Sequence, residues 1–120
     1  METSEIINRT PHVIALIGAD GTTRIIEKSG SPVRIETASG EKIDQVQTVP
    51  VHAPSAVLRI SNLPPRRDNT IIVVSQIAAM GVAALHPDRT DVCYPGTGPA
   101  DRPQRINKTI IAATRLIRAV

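Results

Sequence analysis

The sequence predicts an α+β fold: an antiparallel β-meander, then a strand–helix unit, then a C-terminal segment that is helix or strand. Three observations carry this expectation. Short runs rich in Val, Ile and Thr, punctuated by Gly and Pro, fill the first half of the chain. A continuous apolar run from Thr70 to Val74 leads into an Ala-rich segment of helical character. Aromatic residues make up 1% of the chain, with no Phe, no Trp and Tyr94 as the single Tyr. The interior must therefore be built from Ile, Val, Leu, Ala and Met, a mixture weighted toward the β-branched residues that suit strands. At 120 residues the chain has apolar area for one core, which predicts a single domain over 1–120.

In chain order, His12 to Gly18 and Thr22 to Lys28 flank a turn at Ala19-Asp20-Gly21 and read as a β-hairpin. A second turn at Ser29-Gly30-Ser31-Pro32 precedes a strand from Val33 to Thr37. Lys42 to Val51 reads as one bulged or edge strand, because Ile43, Val46 and Val49 break strict alternation and Pro50 removes a ladder donor. Ala56 to Ile60 is a fifth short strand, and the basic, proline-marked loop Asn62 to Asn69 ends the meander.

Thr70 to Val74 is apolar throughout, as a strand buried on both faces would be. Ser75 is placed to cap a helix from Gln76 to Leu85, which ends at His86-Pro87 because a residue before proline is driven out of helical geometry. That helix is apolar nearly all round, and its small residues at Ala79, Gly81 and Ala83 allow close approach of another backbone. A homo-oligomer with its contact at Ala79 and Ala83 is the expectation. After the Gly/Pro-rich loop Asp91 to Arg102, taken to lie outside the core, Ile110, Ala113, Leu116, Ile117 and Val120 recur at helical spacing. The pattern favours helix there, while the Ile and Thr content also suits a strand after a turn at Asn107-Lys108.

The net charge of +3 is uneven: residues 61–120 hold eight Lys or Arg against four Asp, whereas residues 1–60 hold six against seven acids. The C-terminal half is thus the expected anion-binding face. A lone Cys93 forms no internal disulfide, and no Cys/His cluster has metal-ligand spacing, so neither a metal nor a cofactor is expected. The acidic, polar N-terminus and the lack of a long apolar stretch predict a cytoplasmic protein with no membrane partner and no specific nucleic-acid partner. Asn8-Arg-Thr and Asn107-Lys-Thr match the glycosylation sequon, which a cytosolic chain leaves unused.

Within the loop, Tyr94 could stack on a planar ligand while Arg89, Arg102 and Arg105 meet phosphates and the N–H groups of Gly96 and Gly98 form an anion nest. The plain alternative is a Tyr packed on aliphatic neighbours and a glycine-rich turn. Ser75 either caps its own helix or marks an anion site at the helix N-terminus. The loop is neither a Walker loop nor a dinucleotide fingerprint, and Val73-Val74-Ser75-Gln76-Ile77 lacks the glycines of a nucleophile elbow. The three histidines, His12, His52 and His86, are scattered, and no acid/base pair assembles from the sequence, so no catalytic residue is assigned.

Asn8-Arg-Thr-Pro-His12, Ser29-Gly30 with Arg34, Leu63-Pro64, Ile72-Val-Val-Ser75 with its Ala-rich helix, Pro87-Asp-Arg-Thr-Asp91 and Pro95 occur in order. Together they resemble a family of small phage, prophage and bacterial proteins. Ile72 stands where that pattern often has an aromatic, and a clear Asn-Gly turn near Asn107 is missing. In size and organisation the chain is also similar to phage sponges that counter Thoeris defence by sequestering cyclic ADP-ribose signals. The resemblance implies an oligomer in the host cytoplasm that holds a nucleotide-like messenger, a cyclic ADP-ribose isomer or a cyclic oligonucleotide, without degrading it.

The sequence therefore points to a non-enzymatic binder of an anionic, nucleotide-like signal. The alternative is a protein-interaction module of a phage or mobile element, an assembly subunit or host inhibitor. A phosphodiesterase-like hydrolase with a histidine base is disfavoured by the missing acid/base set.

Overall fold

The computed structural model describes residues 5–105 and 111–120. The expected turn at Asn107-Lys108, the sequon at Asn107 and Ile110 of the C-terminal stripe lie outside the described residues. The α+β class is observed: the described residues form twelve strands and one α-helix, with the helix following a strand meander. The helix and its cap fall where the sequence places them, at α1 (Gln76–Leu85), with Ser75 Oγ accepting from the Ala78 N–H at 3.2 Å.

One four-stranded sheet has the order β1 (Glu5–Asn8), β8 (Thr70–Val73), β9 (Val92–Pro95), β12 (Leu116–Arg118). β8 runs parallel to both β1 and β9, and β12 closes the sheet antiparallel. The second has the order β10 (Gln104–Arg105), β11 (Ile111–Ala113), β2 (Ile14–Ile17), β3 (Thr23–Ile26). β2 and β3 are the expected hairpin. A parallel bridge from Asn8 to Lys28 ties the two sheets together, and Ile6, Leu16, Ile17, Arg24, Ala113 and Leu116 line a cavity of about 210 Å³ between them.

The core lies on the other face of the first sheet. Ile72 and Val74 of the apolar run pack with Val33, Ala78, Ala79, Val82 and Val92, and Ile60, Leu63, Tyr94 and Ala119 complete the cluster. Because side chains alternate along a strand, Val73, fully buried, faces the opposite way from Ile72 and Val74. Burial on both faces is the reason that Ile71 to Val74 is apolar without interruption, while buried Thr70 bonds its hydroxyl to the Asp68 carbonyl.

One open choice is decided and two expectations are corrected. Of the helix and strand alternatives for the C-terminal residues, strand is observed, as β11 and β12, because the edges of β2 and β9 offer backbone partners that the helical spacing could not reveal. Lys42 to Val51 is not one strand but a hairpin, β5 (Lys42–Val46) and β6 (Val49–His52), reversed at Gln47 and Thr48 with φ of 50° and 70°. Neither residue is the Asn or Gly that signals such a turn, and a β-branched Thr in this region is an outlier, so the reversal is hidden from sequence reading. Tyr94 is not on a loop outside the core: Val92 to Pro95 is β9, and the ring packs against the core cluster.

β4 (Arg34–Ala38) pairs with β7 (Ala56–Ser61), and β5 with β6 extends that pair outward as a two-stranded ribbon from Arg34 to Ser61. Its near half lies on α1, where a Cβ at Gly81 would come within 2.5 Å of Ile35. Between the halves the backbones converge so closely that a Cβ at Gly40 would come within 2.1 Å of the Ala53 carbonyl oxygen. The radius of gyration, 16.8 Å, exceeds the roughly 13.5 Å of a compact chain of this length, and the long axis reaches 54 Å. No helix is long and apolar enough to cross a membrane among the described residues.

Candidate functional site

The carboxyl ends of the parallel strands β1, β8 and β9 converge at the N-terminus of α1. In open sheets that edge is where crevices form, because successive connections diverge there. Here it holds a cleft of about 330 Å³ lined by Thr10, Pro11, His12, Ile14, Ser75, Gln76, Pro95 and Thr97. On the far side of Ser75 a second cleft of about 240 Å³ is lined by Val33, Arg34, Ile35, Ile77 and Ala78. No Asp or Glu lines either cleft, and the first turn of α1 holds no acidic residue.

A helix start leaves four N–H groups without intrahelical partners. Ala78 is satisfied by the Ser75 hydroxyl, and nothing among the described residues accepts from the N–H groups of Gln76 and Ile77, which stand with the positive end of the helix dipole at the two clefts.

The loop after β1 is built by Asn8, whose side chain is fully buried. Its amide donates to the carbonyls of His12 at 2.8 Å and Ile26 at 2.9 Å, and its Oδ1 accepts from the Thr10 backbone N–H at 2.9 Å. A folded chain cannot present this Asn for glycosylation. Arg9 follows, with Nη1 donating to the Ser31 carbonyl at 3.2 Å and Nε buried without a partner among the described residues. Gly30, at φ 80°, passes directly beneath that guanidinium, where a Cβ would lie 2.7 Å from Nη1.

Of the sequence-predicted site residues, Ser75 lines this edge, and Gly96 lies between two residues that do, Pro95 and Thr97. The structure does not bring the others to it. Arg89 stands near the opposite ends of β8 and β9, where Nε donates to Asp91 Oδ1 at 2.9 Å and Nη2 to the Pro64 carbonyl at 2.8 Å. Both side chains of this pair are nearly buried, so Arg89 fastens the Leu63-Pro64 step to β9. Burial pushes the Asp91 carboxyl up, but the hydrogen bond and charge of Arg89 outweigh it and hold the group below its ordinary value.

The glycine loop already has an anion. Gly98 N–H donates to Asp101 Oδ2 at 3.1 Å, Arg115 Nε donates to Asp101 Oδ1 at 2.7 Å, and Gly96 N–H donates to the Arg115 carbonyl at 3.0 Å. The chain's own carboxylate thus sits where the nest reading places a phosphate. Arg102 is exposed at φ 50°, and Arg105 is exposed on β10. Tyr94 is half-buried opposite Ile117 in the β9–β12 ladder.

His12, Thr10, Thr97 and Gln76 were missed as site residues, although the Asn8-Arg-Thr-Pro-His12 segment was a visible signal. Among the described residues no three of His, Cys, Asp and Glu stand together as metal ligands. Cys93 is buried, and desolvation pushes its thiol above the ordinary value although the Arg118 charge opposes this, so it is a poor nucleophile. Comparison with known protein families, with curated proteins and with solved structures finds no match to this chain.

Proposed function

We propose that this protein is a non-enzymatic binder that holds an anionic, nucleotide-like molecule in the cleft in front of α1. In the setting that the family resemblance implies, it sequesters a cyclic ADP-ribose isomer or cyclic oligonucleotide in the host cytoplasm. The observation that carries the reading is the uncompensated N-terminus of α1: among the described residues two of its N–H groups have no acceptor, its first turn holds no acidic residue and no carboxylate lines either cleft. Thr10, His12 and Thr97 add polar groups, and Pro11, Ile14 and Pro95 add apolar surface on which a ring can rest. The volume, about 330 Å³, is at the small end of ligand sites and suits part of a nucleotide better than a whole dinucleotide. His12 pairs with no carboxylate among the described residues, so it lacks the orienting partner that a general base usually has.

Calorimetry with ADP-ribose, cyclic ADP-ribose and cyclic dinucleotides tests the proposal, with neutral nucleosides as controls. Phosphate-bearing ligands should bind and nucleosides should not. Gln76→Glu puts a like charge at the helix start and should weaken binding roughly tenfold. Heat denaturation of the loaded protein should release intact ligand. No binding of any phosphate ligand, or a multiple-turnover product, would overturn the reading.

A further inference from the structure

The outer half of the ribbon has no cover. Every residue from Glu41 to His52 is exposed, and among them Ile43 is 65% exposed, Val49 61%, Val46 56% and Val51 38%. The ladder pairs Val46 with Val49 and Asp44 with Val51, and side chains two apart share a face, so Val46, Val49 and Val51 form one apolar strip with Asp44 beside it. Two strands alone are marginal in water, and this strip leaves contiguous apolar surface exposed to it.

We propose that this arm docks on a second copy of the same chain, laying its valine strip against the exposed stripe of the neighbour's α1. That stripe is Ile77, 67% exposed, and Met80, 66% exposed, continued by Ala84 one turn on. The oligomer contact expected at Ala79 and Ala83 is not available: Ala79 is buried within its own core and Ala83 is half-buried, so the free face is the one bearing Ile77 and Met80.

Charge and area both select a second copy. α1 has no charged residue, so the strip meets no buried charge there, and Arg34, which lines the cleft beside Ile77, is a cation for the arm's Asp44. Residues 41–52 carry Glu41 and Asp44 against Lys42, a net −1, which leaves +4 on the rest of a chain of net +3. An arm of that sign, without an aromatic and with one Lys, is ill suited to an anionic membrane or to nucleic acid. A strip of five residues is about 17 Å long, and alone it falls short of the roughly 800 Å² per partner that stable complexes bury. Used reciprocally about a two-fold axis, each copy buries both its arm and its helix stripe, which doubles the contact that one arm makes. The inference is independent of the ligand reading.

Light scattering and sedimentation at micromolar concentration should return about 26 kDa, twice the 12.8 kDa chain. Val46→Asp with Val49→Asp should give a folded monomer, as should Met80→Asp, with circular dichroism unchanged because these side chains are exposed. Mixing Val49→Cys with Met80→Cys chains under oxidation should give a disulfide-linked pair; Cys93 is 4% exposed and does not compete. A monomeric wild type, a dimer that survives either variant, or no disulfide between those positions would overturn the proposal. A monomer that co-sediments with vesicles would also overturn it and assign the arm to lipid.

Discussion

Asn8 and Thr10 lock each other into one geometry. The Thr10 hydroxyl lies 2.6 Å from Asn8 Oδ1 and 2.7 Å from the His12 carbonyl, and its single proton satisfies one of them at a time. The Thr10 N–H reaches Asn8 Oδ1 as well. This pair sets the path of the chain from β1 into the cleft wall at His12. Asn8→Asp should therefore be more damaging than its size suggests. It replaces two amide donors by an oxygen that faces the His12 and Ile26 carbonyls. A loss of about 2–4 kcal/mol in urea unfolding is expected, with Asn8→Ala at the lower end. A change within 0.5 kcal/mol would mean that the loop does not depend on this amide.

Arg89 and Asp91 form the most buried ion pair among the described residues. Arg89→Ala leaves a buried carboxylate unpaired and should cost about 3–5 kcal/mol, whereas replacing both residues by apolar ones should cost much less. A double-mutant cycle in chemical denaturation measures the difference.

The same pair predicts a pH dependence. Asp91 has a folded pKa below its unfolded value, so the native state binds its proton less readily. Its contribution is fully present above the unfolded value of about 3.9 and is lost as pH falls through the lower folded value. Unfolding free energies between pH 2 and pH 6 should fall steeply at the acid end, and Asp91→Asn should flatten that part of the curve.

Tyr94→Ala should destabilise the fold, contrary to what a loop position outside the core would imply. The half-buried ring packs on the cluster of Ile72, Val74 and Val92, and its loss should cost about 2–3 kcal/mol, less than the 3–5 of a fully buried aromatic. An unchanged melting temperature would contradict this placement.

Gly81→Ala tests how the ribbon is anchored. The new methyl group would overlap Ile35 and must push β4 and β7 off α1, so about 1–3 kcal/mol should be lost despite the higher helix propensity of Ala. Gly81→Ala combined with Ile35→Ala, which removes the Cγ2 methyl that the new group strikes, should cost less than the two single changes added together.

The sequence by itself determined the elements whose signal is local. The apolar run at Thr70 to Val74, the Ser75 cap, the helix to Leu85 and its stop at His86-Pro87 were all legible, because periodicity, capping and proline act over a few residues. It also held the pieces of the candidate site, Asn8 to His12, Ser29-Gly30, Arg34, Ser75 and Pro95, but not their convergence. Tertiary structure decided the rest. The parallel pairing of β1 with β8, as in Glu5 opposite Thr70, joins residues 65 apart and brings Thr10 and His12 beside the start of α1. The strand state of Ile111 to Ala113 and Leu116 to Arg118 depends on edges supplied by β2 and β9, which no local pattern encodes. Arg89 and Tyr94 read as ligand contacts until the fold gave each an internal partner. Burial makes that choice: a charge or ring taken from water must find its complement in the chain, and which complement is near is a property of the whole fold.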